Sequence, residues 1–301
     1  MVFLKKTKNI QWLIASAMIA LTIALGYFTQ QSEFPKIIVY YSLFFGLYIG
    51  AYISFENNIL NHNRFCASSA DSPLLGLGAG EGKCTKPIMV QYKIPGNNKL
   101  DKYIGLAILL RLILVFALPN LSNDVYRFIW DGRLLVQGHN PFDHLPVYYL
   151  ENGNAVEGIT RELFEAYGSK NFFTVYPPVA QAQFASACWL FPKSIYWSSV
   201  VMKLWLFLFE LGSIFLIIKL LKHFKLPKKN VLLYALNPLI IFEITGNLHF
   251  EGAMVFFLLL AMWLLVKNKI NLSAIAFALS ICSKLLTLLF LPFLIKKIGW
   301  G

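Results

Sequence analysis

The sequence is short of charge. Asp, Glu, Lys and Arg make up 14% of its 301 residues, where an average soluble domain has about 25%. Acids are the scarcer sign, 15 against 27 bases, for a formal net charge of +12. A soluble fold of this length could not cover a 57% hydrophobic composition with so few charges. That excludes most soluble enzymes and any disordered protein. Cysteine is scarce too. Cys66 and Cys84 fall in a Gly-, Ser- and Pro-rich stretch, and Cys188 and Cys282 in apolar runs, so no disulfide framework is expected. No CxxC pair or His/Cys spacing matches a zinc site. GAGEGK at 78–83 lacks the full P-loop spacing and has no strand before it, so it reads as loop. There is no internal repeat.

What the chain does have is long apolar runs. A membrane-crossing helix needs about 20 mostly apolar residues. The runs 11–28, 37–54, 103–119, 195–218, 231–245 and 252–266 are expected spans, with 178–192 and 270–295 less regular. That makes about 7–9 membrane segments in a single transmembrane domain over 1–301. The first run is not a removable signal peptide, because no small-residue cleavage site follows it. The chain stops at Gly301 just after a membrane segment and reads as a fragment.

The charges sort by segment. Lys5, Lys6 and Lys8 precede the first run, and Arg64, Lys83, Lys86, Lys93, Lys99 and Lys102 fall within 55–102. The stretch 120–176 is acidic on balance, with Asp124, Asp131, Asp143, Glu151, Glu157, Glu162 and Glu165. The positive-inside rule puts the N-terminus and the loop 55–102 in the cytoplasm and the loop 120–176 outside. The five-lysine cluster from Lys219 to Lys229 stays inside only if 178–192 dips in without crossing. The stretch 246–251 then shares the outer face with 120–176. The +12 is therefore a membrane signature, and no nucleic-acid partner is expected.

The outer loop opens with LSNDVYRFIWDGR, 121–133. Ser122 or Asn123 can cap a helix. Val125, Phe128, Ile129 and Gly132 form one face, and Asp124, Arg127 and Asp131 another, as in an amphipathic helix lying on the membrane. One reading of the polar face is a plain ion ladder. The other is a carboxylate base beside a cation that holds an anionic leaving group. Tyr176 is either an interfacial anchor or a substrate contact. Glu243, Asn247, His249 and Glu251 fall between two spans, as a tight turn or a polar site. Lys284 stands in an apolar run. It either reaches the outer face, where it could meet a lipid phosphate, or lies mid-membrane with a buried partner such as Glu243. Arg111, with Glu210 as a partner, raises the same question.

LSNDVYRFIWDGRLLVQGHNPF, FTVYPPVAQ, NPLIIFEITGNLHFEGAM and SKLLTLLFLPFLIKK, in this order, resemble bacterial GT-C fold mannosyltransferases. These are polyprenol-phosphate-sugar-dependent enzymes near glycosyltransferase family 87 and the PIG-M-like mannosyltransferases. The resemblance covers roughly 103–297. It implies an all-α polytopic membrane protein of the bacterial inner membrane, with a GT-C-like helical bundle and its active site facing outside. It implies transfer of a hexose, mannose in many relatives, from a polyprenyl-phosphate donor to a lipid-linked or glycan acceptor. The catalytic carboxylate of the first outer loop carries over to Asp124. Many relatives have two consecutive acids there and this chain has Asn123-Asp124, so the sequence gives no support to a divalent metal or any other cofactor. On this reading Asp124 is the general base of an inverting transfer. Arg127 or Arg133, with Lys284, stabilises the leaving phosphate, and Asp131 orients Arg127 or the acceptor. Tyr176, Asn247, His249 and Glu251 contact substrate. The rival reading is a transporter or lipid flippase without bond chemistry, with Arg111, Glu210, Glu243 and Lys284 along its path.

Overall fold

The computed structural model describes residues 2–70 and 98–292, with side chains over 10–53 and 99–292. Among the described residues there is no strand. Among the described residues, three helices are long and apolar enough to cross a membrane. They are α1 (Val2–Tyr27) over Ile10–Tyr27, α2 (Phe34–Ala70) over Phe34–Ile53, and a later helix, Ile195–His223. Their outward faces are apolar, with Leu13, Leu43, Leu208 and Phe215 exposed, as lipid contact demands. The chain is an all-α membrane protein.

Helix α3 (Asn98–Val115) sits at the centre. It starts earlier and ends sooner than the expected run 103–119. Arg111 on α3 is fully buried. It contacts Glu210 of the long helix Ile195–His223 at 2.9–3.0 Å and donates to the carbonyls of Ala107 and Ala235. The same long helix supplies a buried lysine, Lys203. Its Nζ donates to the carbonyls of Leu114 and Ala117, at 3.0 and 2.6 Å. A cation on the last carbonyls of a helix complements its dipole and satisfies acceptors that have no intrahelical donor.

After α3 the chain forms α4 (Asp124–Val136), α5 (Arg161–Ala166) and α6 (Pro178–Leu190), then the long helix, α7 (Ile195–His223). Pro178 starts α6 at little cost, because the first helical N–H groups have no intrahelical partner. At 13 residues α6 spans about 20 Å, less than the hydrocarbon core of about 30 Å. Helix α4 lies against α6 at Gly132. A Cβ there would meet the Phe184 carbonyl oxygen at 2.6 Å and Cys188 Sγ at 2.7 Å. Phe128 stacks on Phe184 beside this contact, with ring centroids 4.8 Å apart.

The stretch 231–245, expected as one span, is broken. A 3-10 turn (Lys228–Val231) leads into α8 (Leu232–Ala235), then α9 (Pro238–Ile240), then a π-helical turn, Ile241–Gly246. Pro238 has no N–H, and the Leu239 amide donates to Asn237 Oδ1 at 3.0 Å rather than back to the Ala235 carbonyl. Arg111 takes that carbonyl instead, at 2.6 Å. The chain then bends by 114° into α10 (Glu251–Val266). Leu248 in the bend has φ +62, a left-handed conformation that costs a non-glycine residue about 1–3 kcal/mol.

Helix α11 (Ile270–Ile281) folds back on α10, with Ser273 and Ser280 donating to the carbonyls of Ala261 and Met254. The run 270–295 is therefore not one tilted helix. It breaks at Cys282–Lys284 and resumes as a 3-10 turn, Leu285–Phe290. The stretch 55–102 is not all loop either, since α2 continues to Ala70. Residues 71–97, with GAGEGK and Cys84, and the end of the chain at 293–301 lie outside the described residues.

The Gly132 contact gives a stability test. Gly132→Ala should lower the thermal midpoint of the detergent-solubilised protein, at an overpacking cost of about 1–3 kcal/mol. Gly46→Ala, with nothing within 4 Å of its Cβ, should leave the midpoint unchanged or raise it. Circular dichroism melts of the two variants and the wild type read the difference.

Candidate active site

Helix α4 begins where Ser122 Oγ accepts the Asp124 amide at 3.3 Å; Asn123, the other expected cap, makes no side-chain cap bond. This leaves the Asp124 carboxylate on the first turn, half exposed, where the helix dipole favours an anion. The bend at 247–250 delivers His249 to it. Phe250 wedges edge-on against both Phe128 and Phe184, at 5.1 and 4.9 Å, and so fixes the bend to α4 and α6. His249 Nε2 then lies 4.0 Å from Asp124 Oδ2, and its Nδ1 lies 3.1 Å from Glu243 Oε2.

Glu243 is the hub of this cluster. It accepts from Asn247 Nδ2 at 3.3 Å and from the Tyr41 hydroxyl at 3.1 Å, besides its contact with His249. Tyr41 comes from α2, 202 residues away in sequence. No local signal marks it, since tyrosine is ordinary on a membrane helix.

Lys284 and Glu251 form a second group. Lys284 stands at the break after α11 and pairs with Glu251 at the start of α10. The partner is not Glu243, and Lys284 is about half exposed rather than sealed mid-membrane. The break is docked onto the start of α6 by the Val179 amide, which donates to the Cys282 carbonyl at 2.9 Å. Tyr176, two residues before α6, packs edge-on against Phe128 at 4.9 Å. Burial pushes its phenol up, and the carboxylates of Asp124, Asp131 and Glu251 add to this. Tyr176 thus lies within electrostatic reach of both groups.

Arg127 and Asp131 differ from expectation. They do not face the headgroups. Asp131 is fully buried and Arg127 nearly so. Arg127 Nε donates to Asp131 Oδ1 at 2.9 Å, and its Nη1 donates to the carbonyls of Ser169 and Phe172. Asp131 also accepts from Thr174 at 2.5 Å and Gln181 at 3.1 Å. Burial raises the Asp131 carboxyl above its usual value, although Arg127, Thr174 and Gln181 each pull it down. The set ties α4 to α6 and to the chain before it. Thr174 and Gln181 stand in the FTVYPPVAQ segment, but nothing local says that Asp131 is what they bind. Arg133 is buried on another side of α4 and donates to the Gly158 carbonyl at 2.6 Å. Arg127 is committed to Asp131 and two carbonyls, whereas Arg133 meets no carboxylate among the described residues and its Nε is buried without a hydrogen-bond partner.

The four residues of a transport path are not continuous. Arg111 and Glu210 form one buried pair, Glu243 belongs with His249, and Lys284 with Glu251. Among the described residues no three His, Cys, Asp or Glu side chains group as metal ligands.

The His249 imidazole is held above its ordinary value. Its hydrogen bond to Glu243 contributes most, burial opposes it, and Glu251 and Asp124 add attraction. A raised folded value means that the charged form is stabilised by folding. That stability is complete below the unfolded value of about 6.5 and is lost as pH rises through the folded value. As pH rises above about 6.5, melting of the wild type should therefore fall by a step that His249→Gln lacks. Parallel melts through that rise would contradict the assignment.

A family model described as alpha-(1->6)-mannopyranosyltransferase, N-terminal domain, of the MptA_B family, matches residues 89–298. No curated protein and no solved structure matches the chain. The matched segment holds α3, α4, the bend and Lys284, and so every residue of the two groups except Tyr41. A sugar donor and an acceptor must meet on such an enzyme. The match covers more than two thirds of the 301 residues, and the chain belongs to this family of mannosyltransferases, which makes it a hexosyltransferase.

Proposed function

We propose that the chain transfers mannose from a polyprenyl-phosphate donor to a hydroxyl of a lipid-linked or glycan acceptor, with inversion at the anomeric carbon. The family description suggests an alpha-(1->6) linkage. The bundle is then of GT-C type, related to glycosyltransferase family 87 and the PIG-M-like enzymes. It is a multi-pass protein of a bacterial inner membrane, and the loop 120–176 is its outer, catalytic loop.

One observation carries the assignment of the base: the half-exposed Asp124 carboxylate, 4.0 Å from a histidine that Glu243 holds in place. Asp124 takes the proton of the acceptor hydroxyl as that oxygen attacks the anomeric carbon. The bond from the anomeric carbon to the phosphate oxygen breaks, and its electron pair leaves on the polyprenyl phosphate. The phosphate gains a negative charge in this step, so a cation beside it is worth more in the transition state than in the ground state. Lys284 is that cation. Its partly exposed pair with Glu251 opens when the phosphate arrives. His249 orients Asp124, and Tyr176 and Asn247 line the approach. Arg127, Asp131 and Arg133 hold α4 in position and do not touch substrate.

Asp124→Asn should lower mannosyl transfer about 10²–10⁴-fold, the range for loss of general-base help. The assay follows labelled mannose from polyprenyl-phosphate mannose in membranes carrying the protein, and full activity in the variant would overturn the base assignment. Lys284→Gln should lower kcat and kcat/KM together, by about 10²–10³-fold. A rise in KM at unchanged kcat would instead make Lys284 a ground-state donor contact.

A further inference from the structure

Helices α1 and α3 run side by side but are not evenly packed. At the end near α4 they touch. A Cβ on Gly26 would meet Leu114 Cδ2 at 2.5 Å, the Tyr27 hydroxyl donates to the Ile113 carbonyl at 2.7 Å, and Asn120 Nδ2 reaches the Gly26 carbonyl at 3.5 Å. At the other end they part. A groove of about 220 Å³ opens between them, and a Cβ on Gly105 in its wall would meet nothing within 4 Å.

The groove has two chemistries. Ile19, Leu106 and Leu109 make its walls apolar, and Trp12, which is 65% exposed, stands beside them. Lys99 and Lys102 line its mouth. Among the described residues neither lysine is paired with a carboxylate. The preceding turns of α1 carry Lys5, Lys6 and Lys8 on the same side of the sequence's charge division. An apolar slot in a membrane helix pair accepts an acyl chain. Two uncompensated lysines at its mouth complement an anionic headgroup, and basic pockets between helices on the cytoplasmic side are sites for such lipids.

We propose that the α1/α3 groove binds an anionic glycerophospholipid of the leaflet at the basic end of the bundle. One acyl chain lies along the Gly105 wall and the phosphate rests on Lys99 and Lys102. The site is separate from the Asp124 group. Its lining on α3 stops at Leu109, six residues or about 9 Å before the helix ends at Val115, and Asp124 lies beyond that end.

The test uses the full chain, purified in a maltoside detergent and stripped of lipid. Thermal unfolding and native mass spectrometry are read with phosphatidylglycerol, phosphatidylcholine and free glycerol phosphate. Phosphatidylglycerol should raise the midpoint and stay bound, phosphatidylcholine should do so weakly, and glycerol phosphate should have no effect. Lys99→Gln/Lys102→Gln should erase the preference for phosphatidylglycerol, at about fivefold in affinity per lysine. Gly105→Leu, at a position where a Cβ meets nothing within 4 Å, puts a side chain into the groove and should release both lipids, which keeps the test decisive if the double variant folds poorly. Equal response to the two lipids, a preference that survives both variants, or an equal shift with glycerol phosphate would overturn the proposal. Asp124→Asn should bind phosphatidylglycerol like the wild type, so the outcome is independent of the catalytic reading.

Discussion

The buried guanidinium of Arg111 holds the molecule's least regular segment in place. A charge taken out of water costs several kcal/mol unless it is paired and hydrogen-bonded. Arg111 meets this with Glu210 on one side and two backbone carbonyls on the others. One of them, Ala235, has lost its helical donor, because Asn237 caps the Leu239 amide and starts a new helix at Pro238. Backbone at membrane depth can break only where protein groups replace the missing partners. Arg111 is such a group. Tyr234, beside the break, donates to the other oxygen of Glu210. Without this set the Ala235 carbonyl would be buried without a donor and Glu210 without its cation, at a cost of about 3–5 kcal/mol for the unpaired charge. The π turn and the 114° bend that bring Glu243 and His249 to Asp124 follow from that break and depend on its being satisfied.

The two aspartates of α4 are subject to the same chemistry with opposite outcomes. Asp124 and Asp131 lie seven residues apart, close to two helical turns, and so share a face. Asp131 is sealed by Thr174, Gln181 and Arg127, all donating to it. Asp124 has only a histidine 4.0 Å away and remains half exposed. A carboxylate with three donors and no solvent organises packing. One with a nearby imidazole and an open side can receive a proton. The chain covers the second turn with 169–176 and leaves the first turn open. That cover, not the spacing within α4, separates the two environments.

Much of this was legible in the sequence. Asp124, His249, Glu251 and Lys284 stand out because ionisable groups among apolar residues are costly and so rarely incidental. Lys203 is another such group, and it caps α3. The helical class and the short reach of 178–192 follow from length and from Pro177-Pro178. Periodicity could not say which side of α4 the protein itself covers, so Arg127 and Asp131 were expected at the surface. It also could not find the π turn, since IIFEI is as apolar as a regular span. Tyr41 was out of reach for another reason. Its contact with Glu243 joins two helices 202 residues apart, and one sequence carries no record of that pairing.

The exposure of the two ion pairs near the candidate site decides which of them can open. Arg127 and Asp131 are 3% and 0% exposed, whereas Lys284 and Glu251 are 48% and 35% exposed. Separating the first would strand a buried charge at a cost of about 3–5 kcal/mol. Separating the second strands no buried charge; a pair exposed to water would part for about 0–1 kcal/mol. Lys284 is thus the cation of the two whose pair can part, and it stands at the break between α11 and the 3-10 turn, where no regular helix has to bend for it to turn.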